Sequence, residues 1–268
     1  MIIDIHGHLG NINFAPFWQA DEKKLEEHLE KAGIDFLCTS SSKSIMYDVR
    51  EGNRELAKAL ETTEKLLGYV TVNPMFPESI DDLKYLDNPK FIGVKVHPDY
   101  HGYDVTSDVA QEFLNKVADK TKLMLFHISC MPGTGFSDAG AVAKFASEHP
   151  DTNFVMAHLA GIFQNNLYPY FPNLRGLEIV KKIACDNIYV DTAHTLMYVY
   201  PGVMEKMVEL IGTDHIVFGT DCPLQGYMQM KFAIGIIRNL TISDYEKGKI
   251  LSGNASRLLK NAGFLINS

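Results

Sequence analysis

Long apolar runs are missing from this 268-residue chain. None approaches the roughly 20 residues that a membrane-spanning helix needs. Clusters of basic residues are missing too, and the formal net charge is -8. That balance argues against nucleic acid or an anionic membrane as the main partner. Cysteine is scarce: Cys38, Cys130, Cys185 and Cys222 are widely spaced and form no Cys-x-x-Cys. They read as free thiols in a reducing, cytoplasmic setting. A secretory leader is not expected, because Asp4 and His6 interrupt the first apolar run before it is long enough. Asn239-Leu240-Thr241 is discounted as a glycosylation acceptor on the same ground. Gly/Ser-rich linkers, low-complexity tracts and short repeats are also lacking, so one domain over residues 1–268 is the simplest expectation.

What is present is an ordinary globular balance, with 46% hydrophobic and 22% charged residues. Short runs rich in Ile, Val, Leu, Phe and Tyr alternate with longer amphipathic stretches. The runs predict strands near residues 2–6, 34–39, 67–72, 91–96, 122–127, 153–158, 187–191 and 215–220. The stretches between them predict helices over 21–32, 49–66, 78–86, 105–120, 138–149, 174–184 and 202–211. Two more are predicted at 228–238 and 243–260, the latter opened by a capping box at Ser243-Asp244-Tyr245-Glu246. Eight strands, each followed by a helix, spell a (β/α)8 TIM barrel, an α/β fold. An open doubly wound sheet fits the regular alternation and the length less well.

His6-Gly7-His8 ends the first apolar run. Side chains two apart on a strand share a face, so two imidazoles project toward one point. Imidazole is a common ligand of catalytic metals. A lone His-x-His is weak evidence, but later strands also end in ligand-type residues. Strand 4 ends in Lys95 and His97, strand 5 in His127, strand 6 in His158 and strand 8 in Asp221. Chemistry in such barrels sits at the carboxyl ends of the strands, so these residues would converge on one bowl.

The segments Ile3-Asp4-Ile5-His6-Gly7-His8, Gly93-Val94-Lys95-Val96-His97-Pro98 and Leu125-Phe126-His127 carry a resemblance. So do Met156-Ala157-His158-Leu159-Ala160-Gly161, Phe218-Gly219-Thr220-Asp221-Cys222-Pro223 and Gly253-Asn254-Ala255-Ser256-Arg257-Leu258. The chain resembles the amidohydrolase superfamily, in particular the branch that includes aminocarboxymuconate semialdehyde decarboxylase and related hydrolases and decarboxylases. The resemblance implies that His6, His8, His127 and Asp221 bind a divalent metal, with zinc suited to three imidazoles and a carboxylate. Manganese and iron fit the ligand types as well. It implies Asp221 as proton acceptor for metal-activated water and His158 as a group that polarises a carbonyl or passes a proton. Lys95 and His97 would contact substrate. One ion is favoured; the alternative is a second ion, bound by His158 and bridged by a carboxylated Lys95.

The reaction expected on these grounds is metal-dependent hydrolysis of an amide, ester or lactone in a small organic molecule. The alternative is nonoxidative decarboxylation of an unsaturated or aromatic carboxylic acid. A metal-free lactonase or a binding protein on the same fold comes third, and the intact ligand set argues against it. Asp4 could orient a ligand histidine from beneath. Asp191 and His194, at the end of strand 7, could reach the pocket, and no chemical role is assigned to them. Lys95 and Arg175 are candidate carboxylate anchors. Cys222, followed by Pro223, is expected to be an ordinary strand-end cysteine. His28, His149 and His215 are assigned no function, and His101 is undecided. Phe14, Phe17, Trp18, Phe163, Leu167, Tyr168, Tyr170 and Phe171 would either cover a small substrate or pack on helices or a second subunit. A homodimer is the base expectation for oligomeric state, and nothing in the sequence sharpens it.

Overall fold

The computed structural model describes residues 1–11, 20–129, 136–161, 174–194, 202–223 and 226–266. Cys130, Phe14, Phe17, Trp18, Phe163, Leu167, Tyr168, Tyr170 and Phe171 lie outside them. Eight parallel strands pair in chain order: β1 Ile3–Leu9, β2 Phe36–Ser41, β3 Leu66–Val72, β4 Phe91–Val96, β5 Leu123–Phe126, β6 Asn153–Met156, β7 Ile188–Asp191 and β8 Ile216–Val217. The chain beyond β8 returns to β1 by a bridge between Gly7 and Cys222. The amides of Ile5 and His8 donate to the carbonyls of Phe218 and Cys222 across the same seam. The result is a (β/α)8 TIM barrel.

The apolar runs are continuous because both faces of each strand are buried. Val70, Val94, Val96, Phe126 and Phe154 face the helical layer. Leu67, Tyr69, Leu125 and Val155 fill the interior. Parity is interrupted in β1, where the register against β2 shifts between Asp4 and Gly7. Ile3 and Ile5 therefore join the interior cluster while His6 and His8 still reach the mouth.

Most helices follow their sequence signals. Glu22–Ala32 starts at Asp21, whose side chain accepts from the Lys24 amide, and stops at Gly33 with φ 76°. Two stretches differ from expectation. The β3–β4 connection, Pro77–Asp87, is a 3-10 helix rather than an α-helix. Ser79 and Asp82 stand three apart on its buried side, where Ser79 Oγ accepts from the Asn73 amide and Asp82 accepts from the Asn53 amide group. Residues three apart eclipse in a 3-10 helix, so this polar pair favours the tighter winding. The tail expected as one helix is Asp244–Gly248 with the predicted capping box, a π turn Lys249–Gly253 and a helix Asn254–Asn261. The Asn254 amide donates to the carbonyls of Thr213 and Ile216 at 2.7 Å each, which ties that helix beneath β8. Among the described residues, no helix is long and apolar enough to cross a membrane.

Candidate functional site

The carboxyl ends of the strands gather a buried set of imidazoles and carboxylates. His6 donates or accepts at Nδ1 with Asp191 Oδ2, 2.7 Å away. An ionised carboxylate only accepts, so the ring proton sits on Nδ1 and the Nε2 lone pair is left for the bowl. Lys95 Nζ lies 3.0 Å from that Nε2, and Lys95 is fully buried. His8 is held from behind by Ser40 Oγ at 3.0 Å. His8 Nε2 is 2.8 Å from Asp221 Oδ1, and His6 Nε2 is 3.5 Å from the same oxygen. The other Asp221 oxygen is 2.6 Å from His194 Nε2.

Backbone strain is concentrated at these residues. His158, His194 and Asp221 have φ of 59°, 61° and 59°, the left-handed region that a side chain with Cβ rarely adopts. Each such residue costs about 1–3 kcal/mol, which the surroundings must supply. At His158 the device is visible. Its amide donates to Asp191 Oδ1 at 2.8 Å, so one carboxylate fixes the turn after β6 and the ring of His6 on β1. Gly219 permits the crowding, since a Cβ there would lie 3.1 Å from His6 Cβ and 3.2 Å from Asp191 Cβ.

The titration behaviour follows from burial first. Desolvation, then the charge of Lys95, pulls His6 down to about 4, so its ring is neutral. Burial likewise holds His97 and His158 well below the usual imidazole range, and it lowers His127 despite the Asp99 carboxylate. Burial alone would raise Asp221, but the rings of His6 and His194 hold it well below the ordinary carboxylate value. Burial also opposes charge on His194, yet the Asp221 charge and hydrogen bond outweigh it and raise its pKa. Beneath the site, burial lifts Asp4 to about 7, although Asp4 accepts from the Thr220 hydroxyl and from the amides of Thr220 and His6.

Among the described residues, three groups have donor atoms mutually within 4.8 Å, close enough to share an ion: His6, His8 and Asp221; His158, His194 and Asp221; His6, His158 and Asp191. The donor chemistry suits a divalent cation, with neutral imidazoles and anionic carboxylates together. Asp221 Oδ1 is a buried anionic oxygen with no hydrogen-bond donor among the described residues, although His8 Nε2 lies 2.8 Å away. Such an oxygen is costly unless a cation faces it.

The structure thus brings together His6, His8, His158, Lys95 and Asp221. His127 is not in any of the three groups. Its ring bridges Asp99 Oδ2 (Nε2, 3.1 Å) and His158 Nε2 (Nδ1, 3.1 Å). His97 stacks on His127 at 3.9 Å between ring centres and accepts from the Tyr100 amide, capping the short turn Pro98–His101. Arg175 is exposed at the start of helix Arg175–Ile183. Cys222 is buried, and burial raises its thiol pKa, which disfavours the reactive thiolate. Sequence reasoning passed over Asp99 and Ser40 and gave Asp191 and His194 no role. The strand-end position had already put Asp191 and His194 within expected reach of the pocket. Asp99 and Ser40 carried no such signal.

A sequence model of the amidohydrolase family matches residues 46–260. No curated protein matches the chain. Among solved structures, a dihydroxybenzoic acid decarboxylase from Polaromonas, with manganese and the inhibitor 2-nitroresorcinol bound, superposes with a TM-score of 0.70 at 15% identity, covering 97% of this chain and 96% of that one. A 5-carboxyvanillate decarboxylase from Novosphingobium aromaticivorans, with manganese and 4-hydroxy-3-methoxy-5-nitrobenzoic acid, gives a TM-score of 0.70 at 13% identity, covering 97% and 96%. A protein named as a probable 2-pyrone-4,6-dicarboxylic acid hydrolase, from Acinetobacter baumannii with citric acid bound, gives 0.70 at 14% identity, covering 97% and 99%. At such identities the likeness is one of fold.

Proposed function

This chain belongs to the amidohydrolase family, and from that premise we propose that it is a metal-dependent nonoxidative decarboxylase of a small hydroxyaromatic or unsaturated carboxylic acid. The enzyme class follows from the family. The reaction draws on the two decarboxylases of the same fold and on one geometric observation, the Asp221 carboxylate held between His8 and His194 at 2.8 and 2.6 Å.

His6, His8 and Asp221 would hold the ion, with His194 behind Asp221. Zinc suits the nitrogen-rich set, and manganese is the ion named in both decarboxylase structures. When bound, the cation supplies positive charge that draws in the substrate's anionic oxygens and stabilises electron density in the transition state. The chain's own residues then handle the proton. Cleavage of the bond from carbon to carboxylate releases CO2 and leaves an electron pair on that carbon. A proton takes up this pair, and the Asp221–His194 couple can carry it, since a ring nitrogen and a carboxylate oxygen share it at 2.6 Å. Lys95, buried inside the barrel, adds positive charge for an acidic substrate.

Hydrolysis of a lactone, ester or amide is the second reading, favoured by the pyrone hydrolase likeness and by His158, whose Nδ1 is buried without a hydrogen-bond partner among the described residues. In that reaction Asp221 takes the proton of the attacking water and His158 passes a proton toward the leaving group.

The deciding experiment incubates the protein, with its metal content measured, with a panel of hydroxybenzoates and unsaturated acids, and separately with lactones, esters and amides. Release of CO2 is expected. Ring opening or acid release without CO2 would replace the first reading by the second. Asp221→Asn should lower turnover about 10²–10⁴-fold, and retained turnover would remove Asp221 from proton transfer. Metal analysis and the intact mass also count the ions and show whether Lys95 carries an extra carboxyl.

A further inference from the structure

Asp99 lies just past β4 in the turn Pro98–His101, and its two oxygens are both engaged. Oδ1 accepts from Ser129 Oγ at 2.7 Å, and Oδ2 faces His127 Nε2 at 3.1 Å. His127 in turn faces His158 Nε2 through its Nδ1, also at 3.1 Å. We infer that Asp99 is a positioning residue that fixes the tautomers of His127 and His158, an inference that rests on the site proposed above.

An ionised carboxylate has no proton to give, so His127 must donate from Nε2. A neutral imidazole carries one N–H, so His127 Nδ1 is then the acceptor. The partner across the 3.1 Å gap must donate, which puts the His158 proton on Nε2 and the lone pair on Nδ1. That Nδ1 is the nitrogen found buried without a hydrogen-bond partner among the described residues. One carboxylate near the mouth thus determines which nitrogen of a buried histidine, two rings away, carries the lone pair. The same constraint leaves the lone pair of His127 on Nδ1, the nitrogen that would be available to hold a cation. Ser129 steadies the carboxylate, and its amide-side neighbour Ser137 donates its own amide to Ser129 Oγ at 3.0 Å. The stacked ring of His97 keeps His127 in plane. Carboxylates that orient active-site histidines in this way are worth roughly 10–100-fold in affinity or rate.

The test compares Asp99→Ala, Asp99→Asn and Ser129→Ala with the wild-type protein, metal content matched. The first readout is the nitrogen-15 spectrum of the histidine rings without substrate. His127 should be protonated on Nε2 in the wild type, mixed in Asp99→Ala, and restored in Asp99→Asn, whose amide oxygen still accepts. Ser129→Ala should give a smaller change in the same direction. The second readout is CO2 release, where kcat should fall roughly 10–100-fold in Asp99→Ala with KM changed little. Unchanged ring signals in a folded Asp99→Ala or Ser129→Ala would overturn the inference. The spectrum needs no substrate, so it stands even if decarboxylation proves to be the wrong reaction.

Discussion

His101 shows how a single buried ring couples this fold to pH. Its Nε2 lies 3.3 Å from the Ser44 carbonyl, and its Nδ1 is buried without a hydrogen-bond partner among the described residues. A neutral ring donates to that carbonyl, while a charged ring would also bury an unpaired N–H. Desolvation accordingly lowers the pKa of His101 to about 4. The unfolded chain binds this proton near the ordinary value of about 6.5, so it binds more protons than the folded chain between the two values. Stability from His101 is therefore complete above about pH 6.5 and is lost as pH falls through about 4. Thermal unfolding followed from about pH 7 to about pH 4 should show the midpoint falling. His101→Asn, which can still donate to Ser44 but does not titrate, should flatten that slope. An identical slope in the variant would place the acid sensitivity in other groups.

At the level of elements, the turn after β6 and helix Arg175–Ile183 are built against each other. His158, Leu159 and Ala160 form a left-handed turn, with φ of 59°, 53° and 55°. Helix Arg175–Ile183 presses Gly176 onto it so closely that a Cβ would lie 1.8 Å from the Ala160 carbonyl oxygen. The oxygen belongs to backbone, so it cannot swing aside as a flexible side-chain end would. Gly176→Ala should destabilise the protein by about 3 kcal/mol and lower turnover, because moving the turn moves His158. Gly235→Ala is the matched control. It lies in helix Gly226–Asn239 with nothing within 4 Å of its added methyl, so stability should hold or rise by up to about 1 kcal/mol. Equal loss in both variants, measured by denaturant unfolding, would remove the close approach as the cause. The turn itself was not legible in the sequence. Left-handed backbone is usually announced by glycine, yet here it falls on His158, His194 and Asp221 and is enforced by contacts such as Asp191 with the His158 amide.

Across the whole molecule, the barrel was readable because every strand is an apolar run between amphipathic stretches, and two buried faces leave no other home for such runs. The strand-end rule then pointed to His6, His8, Lys95, His97, His127, His158 and Asp221. It could not reach Asp99 or Ser40, whose roles exist only through pairings 28 and 32 residues apart in the chain. The sequence also recorded the tail as one helix, without showing that its last segment closes the opposite end of the barrel from the site. Ala255, Leu258 and Leu259 of Asn254–Asn261 are fully buried in the interior cluster with Ile3, Leu67 and Val217. Phe264 meets Phe36, the first residue of β2, with ring centres 5.8 Å apart. The interior column therefore runs from this floor up to the histidines. Leu258→Ala should cost about 2–5 kcal/mol, since it empties a buried leucine at the floor. The local geometry at the mouth is set by separate hydrogen bonds, from Asp191 to His6 and from Ser40 to His8. Folded Leu258→Ala protein should then keep its metal content and KM while its unfolding midpoint falls. Loss of metal in protein that remains folded would show instead that the floor and the site respond as one unit.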